Sequence, residues 1–278
     1  MELNEKTGVL IEALPYIKKY SGRTIVIKFG GNTLSEMEHV VEDIVLLKHI
    51  GINLVVVHGG GPEIDERLKK KGITPRFING LRHTDENTMK IAEKVFDSIN
   101  REIVKNLISH GAKAKNIKNS IYAVQKSSGL GLVGEIKKID KGKISRALKR
   151  GVIPVISPIG IGEVKKKYNI NADTAASHVA VTLGAEKLTL LTNVDGVIIG
   201  GKLLSHLDFG EAIQEIKHGS INKGMIPKVE ACIYAVENKC LKAHLINGLV
   251  PHSLLLEIFT DKGVGTEIAC KNEYKKNN

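Results

Sequence analysis

The stretch Leu54–Ile64 (LVVVHGGGPEI) constrains the fold of this chain more than any other. Leu54–Val57 is short, apolar and rich in β-branched residues, the profile of a fully buried strand. Three consecutive glycines follow, Gly59, Gly60 and Gly61, and no side chain there keeps a ligand from the backbone N–H groups. Pro62 suits a first helical position, and Glu63 and Asp65 suit the positive end of a helix. Strand, glycine loop and helix N-terminus in succession is how α/β proteins build an anion site. The same residues also fit a plain tight turn in which glycine serves geometry alone.

The succession recurs along the chain. Thr24–Phe29 (TIVIKF) reads as a strand with Lys28 near its end, followed by Gly30-Gly31-Asn32. Ser35-x-x-Glu38 reads as a capping box opening a helix to about Ile50. Further strands are expected at 152–156, 187–191, 243–246 and 254–259. Helices are expected at 62–71, from an N-cap at Thr84 to Gly111, at 145–150, at 171–183 and up to about Glu237. Residues 5–20 suggest an amphipathic helix, with Leu10, Leu14 and Ile17 on one side, bent or broken at Pro15. Ile73–Leu81 reads as a loop or hairpin leading to Arg82, and residues 112–145 as short strands with a hairpin. The rhythm is α/β with a largely parallel sheet. A new βα succession starts near Ala185, so two units are expected, 1–184 and 185–278.

Several function classes recede on composition. No run of about 18 apolar residues exists, which argues against a transmembrane helix. The N-terminus lacks the basic and apolar regions of a secretory signal. Cys232, Cys240 and Cys270 form neither a CxxC pair nor a disulfide framework, so inert thiols in a reducing compartment are expected. The net charge of +11 permits nucleic acid, anionic membrane or small anions as partners. The lysines are dispersed, in short clusters such as Lys69–Lys71 and Lys165–Lys167, and none is interleaved with aromatics. Small anionic ligands fit that pattern better than nucleic acid.

Neither KFGGN (28–32) nor HGGGPEI (58–64) is a dinucleotide fingerprint or a P-loop. A second lysine, Lys228, stands in GMIPK (224–228). Two lysines beyond the carboxyl ends of strands, facing glycine amides, would cradle a phosphoryl group in flight. Taken singly, each residue has a plainer explanation: a strand-end lysine snorkels to solvent, Asp173 complements a helix dipole, Arg82 is a surface arginine, and His58 is a packed loop histidine.

The set IVIKFGGN, VVVHGGGPEI, FINGLRHTD, LGLVGEI, YNINADTAA, LLTNVDGV, GMIPKVEA and HSLLLEIFTDKGVGT resembles the amino-acid kinase family from about Leu10 to Ile268. Within it the motifs are most similar to the branch that phosphorylates N-acetyl-L-glutamate on its γ-carboxylate in arginine biosynthesis. The resemblance implies a three-layer αβα sandwich around a mainly parallel open sheet. Lys28 and Lys228 would stabilise the transferring phosphoryl group, and Asp173 would hold both. Gly30, Gly31, Gly60 and Gly61 would offer amides, while Arg82 and Asn169 would bind the acylated amino acid. Asn193, Asp195 and Gly224 lie in stretches that would surround ATP, with Mg²⁺ on its phosphates and no metal held by the protein itself.

The resemblance further implies feedback inhibition by arginine through Tyr16, His244, Glu257 and Gly263. It also implies a homo-hexamer joined by N-terminal helices, contact with a PII signal protein, and residence in a bacterial cytoplasm or a plastid stroma. The chain departs from the pattern at Lys223, where arginine-sensitive relatives carry glycine. It departs again at Asn238-Lys239-Cys240, Asn247 and Leu249, near the expected arginine site.

Overall fold

The structure is a computed structural model that describes residues 3–222, 224–260 and 263–270; Lys223 lies outside them. Its frame is an eight-stranded sheet. In chain order the strands are β1 (Thr24–Phe29), β2 (Asn53–His58), β3 (Ala114–Asn116), β4 (Ile153–Ile156), β5 (Lys187–Thr192), β6 (His206–Asp208), β7 (Lys242–Asn247) and β8 (Thr266–Ala269). Across the sheet they run β6-β8-β7-β5-β1-β2-β4-β3. All neighbours are parallel except β7 and β8, so β8 and β6 run against the rest.

Residues of β1 and β2 alternate between two cores, as the period of a strand requires. Val26, Val55 and Val57 face one apolar cluster with α6 (Ala172–Leu183) and α8 (Ile226–Glu237). Ile25, Ile27, Leu54 and Val56 face the other, with α2 (Met37–His49) and α4 (Glu86–Ser109). Burial on both faces explains why these strands read as continuous apolar runs. The expected αβα layering is therefore observed. A four-stranded sheet built from Ile121–Gln125, Gly134–Ile139, Ile159–Ile161 and Lys167–Asn169 stands beside it.

Five local expectations are corrected. Helix α1 (Leu3–Tyr20) runs through Pro15 unbroken. The carbonyl that loses its partner there belongs to Ile11, which is 65% exposed and open to water. Residues 31–36 form a 3-10 turn, and α2 starts at Met37 with Glu36 as its N-cap, one residue later than a cap at Ser35 predicts. Asp85, not Thr84, caps α4, accepting from the Thr88 amide at 2.7 Å. Helix α5 (Lys141–Lys149) opens earlier than expected because Asp140 caps it at the Lys143 amide.

Most telling, the apolar run at 254–259 is not a strand but helix α9 (Ser253–Phe259). It lies against α1 and α2, burying Leu254 and Ile258 while Leu256 stays exposed, and short apolar runs do not separate the two states by periodicity. The hairpin at 77–82 forms as expected, between Phe77–Ile78 and Leu81–Arg82. Helix α3 (Gly61–Lys69) follows the triple glycine at once, and α7 (Phe209–His218) precedes α8.

Candidate active site

Lys28 is the fifth of six residues in β1, so its side chain leaves the sheet at the carboxyl edge. Asp173 is the second residue of α6. Asn171 caps that helix, its side chain accepting from the Asp173 amide at 2.9 Å and the Thr174 amide at 3.0 Å. Lys228 stands in the first turn of α8. The three meet: Lys28 Nζ lies 2.8 Å from Asp173 Oδ1, and Lys228 Nζ donates to Oδ2 at 2.8 Å. The Lys28 contact is an ion pair without hydrogen-bond alignment.

Asp173 and Lys28 are buried, whereas the Lys228 side chain is 23% exposed. Burial alone would raise the Asp173 pKa, but the two ammonium groups outweigh it and hold the carboxyl well below its usual range. Burial also lowers the Lys28 pKa, against the pull of Asp173. One carboxylate thus orders two cations and leaves about one net positive charge facing a cleft of about 350 Å³.

The two glycine loops wall that cleft. Gly30 has φ of +132°, and a Cβ there would come within 2.5 Å of the Gly59 nitrogen, so the loops touch only because this residue is glycine. A Cβ on Gly60 would meet Ile99 Cδ1 at 2.8 Å. The Gly59 amide donates to the Phe29 carbonyl at 3.0 Å, and the Gly30 amide to Thr33 Oγ1 at 3.0 Å. The first bond ties the two loops together and the second closes the first loop on itself, and Gly31, Gly60 and Gly61 line the cleft beside them.

Arg82 also lines the cleft, its guanidinium held by Asp65 and, at 3.1 Å, by the Gly61 carbonyl, with the Phe77 ring 4.8 Å away. Asn169 and Asn193 line it too, and Asn169 donates to Thr84 Oγ1 at 3.1 Å. Asp195 and Gly224 are exposed and outside that lining: Asp195 accepts from Asn247 at 2.8 Å, and the Gly224 amide donates to Asn222 at 2.8 Å.

His58 is buried between the Gly59 carbonyl, Ser157 and Asn100, and burial pushes its pKa down to about 4. It is a neutral packed residue. Sequence reasoning missed Thr33, which ties the first loop, Asp65, which positions Arg82, and Thr84, which holds Asn169. Asp65 had looked like a dipole partner only, and no spacing rule links it to a residue seventeen places on. The one acidic residue lining the cleft among the described residues is Asp173, already shared by two lysines, so the wall offers no free carboxylate to a metal ion.

At a second place Glu257 lies 2.5 Å from His244 Nδ1 and 3.4 Å from Lys187 Nζ, and accepts from the Val264 amide at 3.1 Å. Gly263 adjoins it with φ of +59°, and a Cβ there would stand 2.5 Å from Glu257 Oε2. Tyr16 packs edge-on against Phe259, ring centres 6.4 Å apart.

The amino acid kinase family pattern matches residues 23–247, and the chain belongs to that family. An acetylglutamate kinase of Thermoanaerobacter pseudethanolicus is 48% identical over 277 residues, covering 95% of this chain and 93% of that one. Among solved structures, an N-acetylglutamate synthase from Neisseria gonorrhoeae complexed with coenzyme A and N-acetyl-glutamate superposes with a TM-score of 0.89 at 30% identity. The match covers 95% of this chain but 63% of the synthase chain. A carbamate kinase from Giardia lamblia bound to AMP-PNP has a TM-score of 0.69 at 18% identity, covering 91% of this chain and all of that one, a likeness of fold.

Proposed function

We propose that this protein is an ATP-dependent kinase that phosphorylates the γ-carboxylate of N-acetyl-L-glutamate, giving N-acetylglutamyl 5-phosphate and ADP in arginine biosynthesis. The observation that carries the chemistry is Asp173 holding Lys28 and Lys228 on the wall of a glycine-lined cleft. The acylated amino acid as acceptor draws support from the kinase relative at 48% identity.

A carboxylate is already a nucleophile at neutral pH, so the site needs no general base. What it must supply is alignment of two anions and compensation of charge on the equatorial phosphoryl oxygens. Lys28 and Lys228 supply the charge. Asp173 keeps their ammonium groups apart and fixed, so no reorganisation is needed when charge moves. Amides of Gly31, Gly60 and Gly61, together with Gly30 once its bond to Thr33 opens, take up oxygens of the phosphoryl group and acceptor. Arg82, held by Asp65, pairs with the α-carboxylate in the bidentate manner of guanidinium groups, and Asn169 takes the acetylated amide side. Mg²⁺ enters on the nucleotide as part of the co-substrate, since the cleft wall has no free carboxylate to hold it.

In this reading residues 1–184 bind acetylglutamate and build the oligomer, and residues 185–278 bind the nucleotide, with Asn193, Asp195 and Gly224 beside it. Exposed Ile11 and Leu14 on α1 support a hexamer joined by N-terminal helices. The meeting of His244, Glu257 and Gly263 supports an arginine effector site there, with Tyr16 as its outer wall. Contact with a PII signal protein rests on the resemblance alone. The kinase relative being bacterial favours a cytoplasmic place over a plastid one.

Initial rates of ADP release decide the matter. Turnover that depends on N-acetylglutamate and falls when arginine is added is expected. Turnover with aspartate, glutamate or an aminoadipate derivative in its place would move the protein to a sister kinase.

A further inference from the structure

Away from the cleft, α2 and the start of α9 bring imidazole and carboxylate groups together. His39 and Glu42 are three residues apart on α2 and share a face. His252 is the N-cap of α9 and holds the left-handed conformation (φ +57°, ψ +23°), uncommon for a residue with a Cβ. Its ring meets that of His39 with centres 4.9 Å apart. Glu42 Oε2 lies 3.6 Å from His39 Nδ1 and 3.9 Å from His252 Nε2, and the three residues have donor atoms mutually within 4.8 Å.

Four donors around a zinc ion at about 2.0–2.1 Å stand roughly 3.4 Å from one another. The existing triangle therefore needs only small side-chain rotations to close on an ion. Its fourth position faces solvent, since His252 and Glu42 are nearly half exposed.

Two further observations favour a ligand there over a chance grouping. His39 Nδ1 is shielded from solvent yet has no hydrogen-bond partner. The opposite nitrogen of His252, Nδ1, is 2.7 Å from Asp43 Oδ1, and Asp43 is almost fully buried. The backbone amides of Leu254 and Leu255 at the start of α9 favour the charged form of Asp43, against its burial. A carboxylate that accepts a hydrogen bond from Nδ1–H leaves Nε2 with its lone pair, and that nitrogen faces Glu42. Carboxylate, histidine and open nitrogen in line is the arrangement that orients metal-binding histidines.

We propose that His39, Glu42 and His252 form a binding site for a divalent first-row transition-metal ion of the zinc type, with Asp43 as its positioning residue. Two imidazoles and one carboxylate suit zinc, nickel or copper better than magnesium or calcium. The ion ties α2, which follows the first glycine loop, to α9, which carries Glu257. A chain of net charge +11 repels cations in general, so capture here reflects the local donors.

The test uses tag-free full-length protein cleared of metal with a chelator. Isothermal titration with Zn²⁺, and visible absorption of added Co²⁺ as a report of tetrahedral nitrogen and oxygen ligands, are read side by side. One equivalent per chain is expected, with affinity lowered at least about tenfold by His39→Gln, His252→Ala or Glu42→Gln and about tenfold by Asp43→Asn. His110→Ala is the discriminating control, because Glu42 also adjoins Glu38 and His110; it should change nothing. His39→Gln removes a half-exposed side chain from α2, and melting of the metal-free variant checks that the fold survives. Absence of stoichiometric binding by the wild-type chain overturns the proposal. So does binding that His110→Ala abolishes while His39→Gln leaves it intact.

Discussion

Two carboxylates in this molecule are held between basic groups, at opposite edges of the same sheet. Asp173 meets Lys28 at the carboxyl end of β1. Glu257 meets Lys187 at the amino end of the neighbouring β5, where Lys187 pairs in register with Ile25. At the first edge the Lys228 side chain remains 23% exposed and the cleft is open. At the second, Lys187, His244 and Glu257 have side chains only 4–5% exposed, and the Tyr20 ring lies 5.5 Å from the Lys187 ammonium. Burial would raise the Glu257 pKa, yet His244 and Lys187 bring it down to about 2. The two clusters share an electrostatic device and differ in how much of it is exposed. In an open parallel sheet the crevice for a ligand lies beyond the carboxyl ends of the strands, where Lys28 stands.

That contrast can be broken by substitution. Lys28→Ala should lower kcat by about two to three orders of magnitude with a much smaller change in KM, as the loss of a preorganised charge does. Steady-state kinetics showing near-normal turnover would remove the open cluster from the chemistry. Glu257→Gln should act on folding instead. It leaves the Lys187 ammonium buried without its counter-charge, and denaturant titration should record a loss of about 3 kcal/mol.

His58, the last residue of β2 before the second glycine loop, sharpens the same point. Its folded pKa of about 4 lies below the unfolded value near 6.5, so the unfolded chain binds more protons between those limits. Stability from this residue is therefore full above about pH 6.5 and drains as pH falls, by about 2 kcal/mol at roughly pH 5. Denaturation curves at several pH values should show that slope in the wild-type chain and a shallower one in His58→Gln. An unchanged slope would mean that His58 is not held neutral.

Much of this was legible in residue order. The β-branched runs at 24–29 and 54–57, each leading into a glycine loop, read as strands buried on both faces, which puts those loops at the sheet's carboxyl edge. Lys28, Asp173 and Lys228 were readable as partners through the family resemblance, because 145 residues of chain separate the first two and no local rule joins them. What failed to show was settled by tertiary contacts. Leu254–Phe259 has the composition of a strand, but it packs as a helix against α1 and α2, far away in sequence. Thr84 has cap chemistry equal to that of Asp85, and its hydroxyl is spent on the Arg82 carbonyl at 2.9 Å and on Asn169. The edge strand β6 and helix α7 carried no pattern strong enough to predict them.

The order of strands at one edge of the sheet also bears on how the chain is made. Strand β6 has β8 as its neighbour in the sheet, and β8 inserts between β6 and β7. During synthesis β1, β2, β4 and β5 can pair as they leave the ribosome, since all precede residue 193. Residues 206–208, by contrast, must wait unpaired until residues 266–269 have emerged. The open flank of β7, once made, stays exposed until the same point, an unpaired strand edge of the kind that invites intermolecular pairing. Translation that stalls between residues 248 and 265 should thus release a product with its catalytic edge assembled and its far flank adhesive.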